Sequence, residues 1–170
     1  MTTTNSNLVG NAVASPVVMT PAGKHFGRVR ISQDSFEVTG TDFDADGDVI
    51  RLSRIPVIAR VISIKIGNDD LDSGSDSIFN LGVQRPDGTI EDEDFFASLV
   101  TQLQAVARLT ELYDEAAAAA NRDEVGETLW EMLDVANDPG GFYDICMYQT
   151  AAVSSPNTAT VNFQIQFSID

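Results

Sequence analysis

Near the C-terminus, Val161, Phe163, Ile165, Phe167 and Ile169 alternate without a break against Asn162, Gln164, Gln166 and Ser168. A period of two describes a strand with one face in a core and an amide-lined face outside it. The same signal recurs in Val49 to Ile66. There Ile50 and Leu52 alternate with Arg51 and Ser53, and beyond Pro56 the residues Ile58, Ile62, Ile64 and Ile66 share one parity while Val61, Ser63 and Lys65 take the other. Pro56 has no N–H for a ladder and holds Ile55 extended, which predicts two strand segments meeting at a corner and passing between two sheets. Arg28 to Val38 starts with Val29 and Ile31 on one parity and ends with Phe36 and Val38 on the other, predicting a bulge near Gln33 and Asp34. Further strands are predicted at Ile78 to Gln84 and Phe142 to Tyr148. Between them Arg85-Pro86-Asp87-Gly88 reads as a tight turn, with Thr89 and Ile90 starting a return strand.

From Glu91 the period changes. Phe96, Leu99, Val100, Leu103, Val106 and Tyr113 recur at three- and four-residue steps and an alanine run follows at 116–120, predicting helix over 94–120. A second helix is predicted over 123–133, with Asp123 at its N-terminus, Leu129, Trp130 and Leu133 on its apolar side, and Asp138-Pro139-Gly140-Gly141 as its stop. The expected fold class is therefore mainly β: an antiparallel β-sandwich or jelly roll with a helical insertion (about 94–135) and an extended N-terminal arm. Residues 1–27 form the arm and 28–170 one sandwich domain. The arm is rich in Thr, Asn, Ser, Gly and Pro, with Val17, Val18 and Met19 between Pro16 and Pro21. Such a segment is either a solvated tail or a strap laid on another surface, and the apolar triplet favours the strap.

Composition narrows the function. With 170 residues the chain is long enough for one core and needs no disulfide scaffold. A formal charge of −16 argues against binding nucleic acid phosphates. That charge is uneven: residues 1–65 carry seven Lys/Arg and six Asp/Glu, whereas 66–170 carry three and twenty, about +1 against −17. The N-terminus has neither a basic start nor a continuous apolar stretch, and no run of about 18 apolar residues occurs, so neither an export signal nor a membrane span is expected. Cys146 lies in an apolar alternating run and reads as a structural thiol.

Asp42, Asp44, Asp46 and Asp48, with Gly47, match the opening of a calcium loop. The twelfth position of that loop is Ser53 and not a bidentate Glu. A solvated turn is the simpler reading and a calcium site the sharper one. Asp69, Asp70, Asp72 and Asp76 form a second acidic loop, read as solvated. The single histidine, His25, lies in the arm, and no nucleophile, base and carboxylate can be assembled around it, so no enzymatic activity is expected. Trp130 reads as helix-to-sheet packing. Arg28, Arg30, Arg51, Arg54 and Arg60 suit ordered carboxylate pairs at an interface as well as they suit polar strand faces.

The blocks IRLSRIPVIARVISIKIGNDDLDSG, NLVGN…SP…PAGK…GRVRI and LWEMLDVANDPGGFYDI, with the final alternating strand, resemble small virion structural proteins of tailed bacteriophages. The likeness covers most of the chain except the alanine-rich stretch at 115–121, which reads as an insertion. It implies a capsid decoration, or cement, protein with no catalytic residue: a trimer on the outer capsid surface with the major capsid protein as its partner. Charge and hydropathy add the expectation of no nucleic acid or membrane contact, and the Asp42–Asp48 motif leaves calcium as the one cofactor to consider. Val17, Val18, Met19, Arg28, Arg30 and Arg54 are the residues expected at that interface. A head-to-tail adaptor, a tail or fibre subunit, and a calcium-assisted carbohydrate-binding jelly roll on the virion are the alternatives.

Overall fold

The computed structural model describes residues 9, 11, 14–19, 27–113 and 126–169. Eight strands account for about half of them: β1 (Arg28–Val38), β2 (Val49–Pro56), β3 (Arg60–Asn68), β4 (Phe79–Gln84), β5 (Ile90–Val100), β6 (Ala107–Glu111), β7 (Phe142–Gln149) and β8 (Ala159–Ile169). They form two four-stranded sheets, ordered β1-β8-β3-β6 and β2-β7-β4-β5, with every pairing antiparallel. Among the strands, every consecutive pair except β4 and β5 changes sheet. The pairs β1–β8, β2–β7, β3–β6 and β4–β5 are nested around the turn at 85–89, as in one long hairpin rolled up on itself. Val61, Ile64 and Ile66 of β3 and Val161, Phe163 and Ile165 of β8 share one buried cluster with Phe79, Leu81 and Val83 of β4 and Tyr143, Ile145 and Met147 of β7. This is a β-sandwich-like arrangement. No helix among the described residues is long and apolar enough to cross a membrane.

The final strand has the faces its alternation predicts: Val161, Phe163, Ile165 and Phe167 are buried while Asn162, Gln164 and Gln166 are half-exposed. The Pro56 corner also stands, since β2 and β3 belong to different sheets. Bulges alter what lies on either side of it. Val61 pairs with Phe167 and Ser63 with Gln166, so Ile62 is the extra residue in β3. An inserted residue resets the parity of the strand. Val61, Ile64 and Ile66 therefore face the core, while Ile58 and Ile62, which the simple alternation assigns to it, are 40% and 45% exposed. In β2 the extra residue is Leu52, which puts Arg51 and Arg54 on the same outward side. The bulge expected near Gln33 and Asp34 is absent: β1 pairs with β8 without a break from Arg28↔Ile169 to Val38↔Ala159. Its parity switch has another cause. Val29 and Ile31 are apolar residues on the outward face, 57% and 55% exposed.

Of the helix expected over 94–120, the described part, 94–113, is strand and connecting turn instead. Leu81 pairs with Ala97 and Val83 with Asp92, so residues 93–96 stand opposite Gly82 alone, in a wide bulge of β5. Phe95, Phe96 and Ala97 are buried in succession, whereas Leu99 and Val106 of the supposed helical stripe are 66% and 73% exposed. A bulged strand followed by the short 3-10 turn Gln102–Gln104 yields three- and four-residue apolar spacings without a helix. Residues 114–120, with the alanine run, and 123–125 lie outside the described residues. The second helix reduces to α1 (Leu129–Met132), capped by Thr128, whose N–H and hydroxyl both donate to Glu131 Oε2 (2.8 and 2.6 Å). Those two bonds hold the Glu131 carboxyl below its usual pKa. The N–H groups of Leu129 and Trp130 donate to the carbonyls of Ala59 and Val57, so α1 seals the β2–β3 loop and Trp130 packs against the core.

Candidate interaction surfaces

Because the β2 bulge aligns Arg51 and Arg54, both guanidinium groups reach Asp144 on the neighbouring β7. Arg54 grips it with two bonds, Nε to Oδ1 at 2.6 Å and Nη2 to Oδ2 at 2.9 Å, and Arg51 Nη1 adds a longer contact of 3.4 Å. The Gln84 amide, set with its oxygen towards Arg51, accepts from Nε and Nη2 at 2.6 and 3.1 Å. Asp144 is 2% exposed, whereas the two arginine side chains are about half-exposed, at 47% and 51%. The hydrogen bond to Asp144 raises the Arg54 pKa further. Arg54, an expected interface residue, is thus tied inside its own chain while half its surface still meets solvent. Asp144 was not singled out by the sequence, because only the bulge reveals that two arginines three positions apart share a face.

Cys146 and Tyr148 lie on the same outward parity as Asp144 and are nonetheless buried. The bulged segment of β5 lies over this face, its backbone resting on Gly82. Burial pushes the Cys146 thiol up to about 12, so it is protonated and inert, as a structural cysteine should be. Burial raises the Tyr148 hydroxyl in the same direction.

The outward face of the other sheet is half-exposed along Asn162, Gln164 and Gln166 and covered at Ser63 and Ser168. β1 is its edge strand, and Arg28 and Arg30 are exposed at the start of it. Val29 lies opposite Ser168 and Ile31 opposite Gln166, and Ile62 bulges out beside the same stretch of β8, so three exposed aliphatic side chains gather at this end of the face. Further along, Gln164 donates to Gln33 and Gln166 to Gln164, both at 3.4 Å. The expected apolar triplet is exposed as well: Val17, Val18 and Met19 at 63%, 50% and 88%.

The two acidic loops differ from each other. Asp42 Oδ2 accepts from the N–H and hydroxyl of Thr39 at 2.9 and 2.7 Å, which lowers its pKa. Asp48 Oδ2 accepts from the N–H groups of Asp44 and Ala45 at 3.1 and 2.8 Å. Two of the four candidate calcium ligands thus pin the turn around Gly47, which has a φ of 87°. No group of three or more His, Cys, Asp or Glu among the described residues could hold a metal ion. If the turn stands by these bonds alone, the chain melts at the same temperature in excess calcium and in chelator, by calorimetry. A rise that calcium confers on the parent and not on Asp44→Ala with Asp46→Ala would establish a site.

The second loop is not a solvated one at its centre. Asp72 is fully buried and accepts from the N–H groups of Gly74 (2.8 Å), Ser77 (2.6 Å) and Asp76. A further feature escaped the sequence altogether. At the sandwich end where β2 meets β7, the 85–88 turn and the 138–142 loop flank an open cleft of about 370 Å3, lined by Arg85, Pro86, Asp87, Pro139, Phe142 and Tyr143 among others. His25 lies outside the described residues.

No protein-family model matches the chain, and no curated protein does. Solved structures do. A chain of the Cyanophage Pam1 capsid asymmetric unit is 18% identical and superposes with a TM-score of 0.56, each chain covered over 100% of its length. A chain from the capsid of Ralstonia phage GP4 is 17% identical with a TM-score of 0.57, over 89% of this chain and 91% of that one. The fold is similar to that of phage capsid chains. At these identities the likeness concerns the path of the backbone alone.

Proposed function

We propose that the chain is a capsid decoration, or cement, protein of a tailed bacteriophage, with a structural and non-enzymatic role on the outer surface of the head. The observation that carries this reading is the end-to-end match with a chain of a phage capsid, in which neither partner has a large unmatched part. The nested strand order supports it. Two four-stranded sheets made from one rolled hairpin suit the double Greek key of a jelly roll, an architecture used repeatedly in viral capsids. The sequence resemblance to small virion structural proteins points the same way.

Decoration stabilises a shell by mass action: a ligand that binds only assembled neighbours favours the assembled state by its binding free energy. The chain has the surfaces for it. Val29, Ile31 and Ile62 offer an exposed apolar patch, Arg28 and Arg30 are exposed on the alternate parity of the same strand, and the arm offers Val17, Val18 and Met19. In this reading the homotrimer straddles a junction of major capsid protein subunits. Light scattering on the purified chain tests the trimer, and the expected mass is three times 18.3 kDa. Co-sedimentation with undecorated shells tests the partner. Binding is expected to saturate at a fixed number of copies and to weaken for Val29→Asp with Ile31→Asp; binding that never saturates, or that ignores those substitutions, contradicts the assigned surface.

A further inference from the structure

The cleft at the sandwich end holds an incomplete bond. Tyr143 is 1% exposed, and its hydroxyl meets no hydrogen-bond partner among the described residues. A buried hydroxyl left unpaired costs about 1–3 kcal/mol, so such a group at the wall of an open cleft calls for an acceptor from outside. The cleft's other walls include the rings of Pro86, Pro139 and Phe142 beside Arg85, Asp87 and two glycines, and Phe142 is 51% exposed. Aromatic and proline rings beside a single hydroxyl donor suit an extended, proline-flanked peptide, whose carbonyls accept while its side chains pack on the rings. At about 370 Å3 the space is within the range of specific binding sites, about 300–1,000 Å3.

The chain contains such a peptide, Pro16-Val17-Val18-Met19-Thr20-Pro21. Its own copy does not fill the cleft, since Val17, Val18 and Met19 are exposed and none of them lines it. Charge favours the match. Residues 1–33 contain no Asp or Glu and include Lys24, Arg28 and Arg30. The cleft carries Asp87, and Asp138 and Glu91 lie near the Tyr143 hydroxyl, with Arg85 already paired to Glu91. Position favours it too. β1 begins at this end of the sandwich, because Arg28 pairs with Ile169, Ser168 with Arg60, and the Val57 N–H donates to the carbonyl of Gly141. From Arg28, Met19 can reach at most about 30 Å, enough to cross to an adjoining subunit.

We propose that the arm segment Pro16–Met19 of one copy docks in the Phe142–Tyr143 cleft of a second copy, with the Tyr143 hydroxyl donating to an arm carbonyl. The docking rests on the arm being a contact segment, and it requires nothing of the capsid shell. The test uses the full chain carrying Val17→Asp, Val18→Asp and Met19→Asp, whose own arm no longer competes, and a fluorescein-labelled peptide of residues 13–22 read by anisotropy. Saturable binding is expected, about tenfold weaker or more for Phe142→Ser. Tyr143→Phe should weaken it roughly threefold to tenfold, the worth of one hydrogen bond, while melting no lower than its parent because only an unpaired hydroxyl is removed. Mixing the arm-substituted chain with a Phe142→Ser chain bearing an intact arm should restore an association in the ultracentrifuge that neither shows alone. No peptide binding at millimolar concentration, equal binding by the parent, Phe142→Ser and Tyr143→Phe, or no association in the mixture would overturn the proposal. So would a peptide that pellets with bare shells and ignores the chain, an outcome that leaves the decoration reading intact.

Discussion

Gly82→Ala is expected to unfold the chain or leave it melting far below the parent. Gly82 lies in β4 opposite the wide bulge of β5, and a β-carbon there would fall on the backbone of Asp92 and Glu93. Backbone cannot step aside as a flexible side chain does. The bulge is also held in place from its other side: Phe95 and Phe96 are buried, their rings in an edge contact at 4.9 Å, and Phe96 packs on Tyr113 at 5.7 Å. Displacing it uncovers that packing together with Cys146 and Tyr148. A cost of about 4 kcal/mol or more places the change in the extreme tail of single substitutions and takes a large part of a total stability of about 5–15 kcal/mol. Gly140→Ala is the control. Gly140 has a φ of 66° with nothing close to its missing β-carbon, so alanine there costs only the left-handed backbone strain, about 1–2 kcal/mol. Thermal melts of the two variants should differ widely; similar melting temperatures would show that β5 does not rest on Gly82.

Asp72→Ala should be the next most damaging. Its two carboxylate oxygens satisfy the N–H groups of Gly74, Asp76 and Ser77, and its backbone bridges to Pro156 at the entry to β8. Alanine leaves three donors unanswered. A cost of about 3–5 kcal/mol is expected, a fall of about 6–20 °C for a chain of this size. Asp72→Asn keeps one acceptor oxygen, enough for Asp76 and Ser77 together, so it should recover more than half of the loss. If alanine and asparagine melt alike, the carboxylate is not what organises the loop.

Elements whose meaning lies within a few residues were legible in the sequence. The alternation of Val161 to Ile169 and the interruption at Pro56 each state a strand or a corner through local chemistry alone. Bulges were not legible, since an extra residue opposite a partner strand leaves no mark in the sequence of the bulged strand itself. That single cause moved Ile62 from core to surface, turned Arg51 and Arg54 to one side, and made the β5 segment imitate a helix. The exposure of apolar residues was legible in part. The exposure of Val17, Val18 and Met19 suits their place between prolines, whereas the alternation of β1 does not say that Val29 and Ile31 face outward. Asp72 was hidden by its acidic neighbours. The end cleft could not be foreseen, because Arg85, Pro139 and Tyr143 converge only through the nested pairing of distant strands.

Whether the chain sits on the phage head is tested most directly by electron cryomicroscopy of shells prepared with and without it. Difference density the size of this chain is expected on the outer surface, at the junctions between major capsid protein subunits, in trimers. Density confined to the tail or to the shell interior, or none with the chain in saturating excess, would contradict that placement.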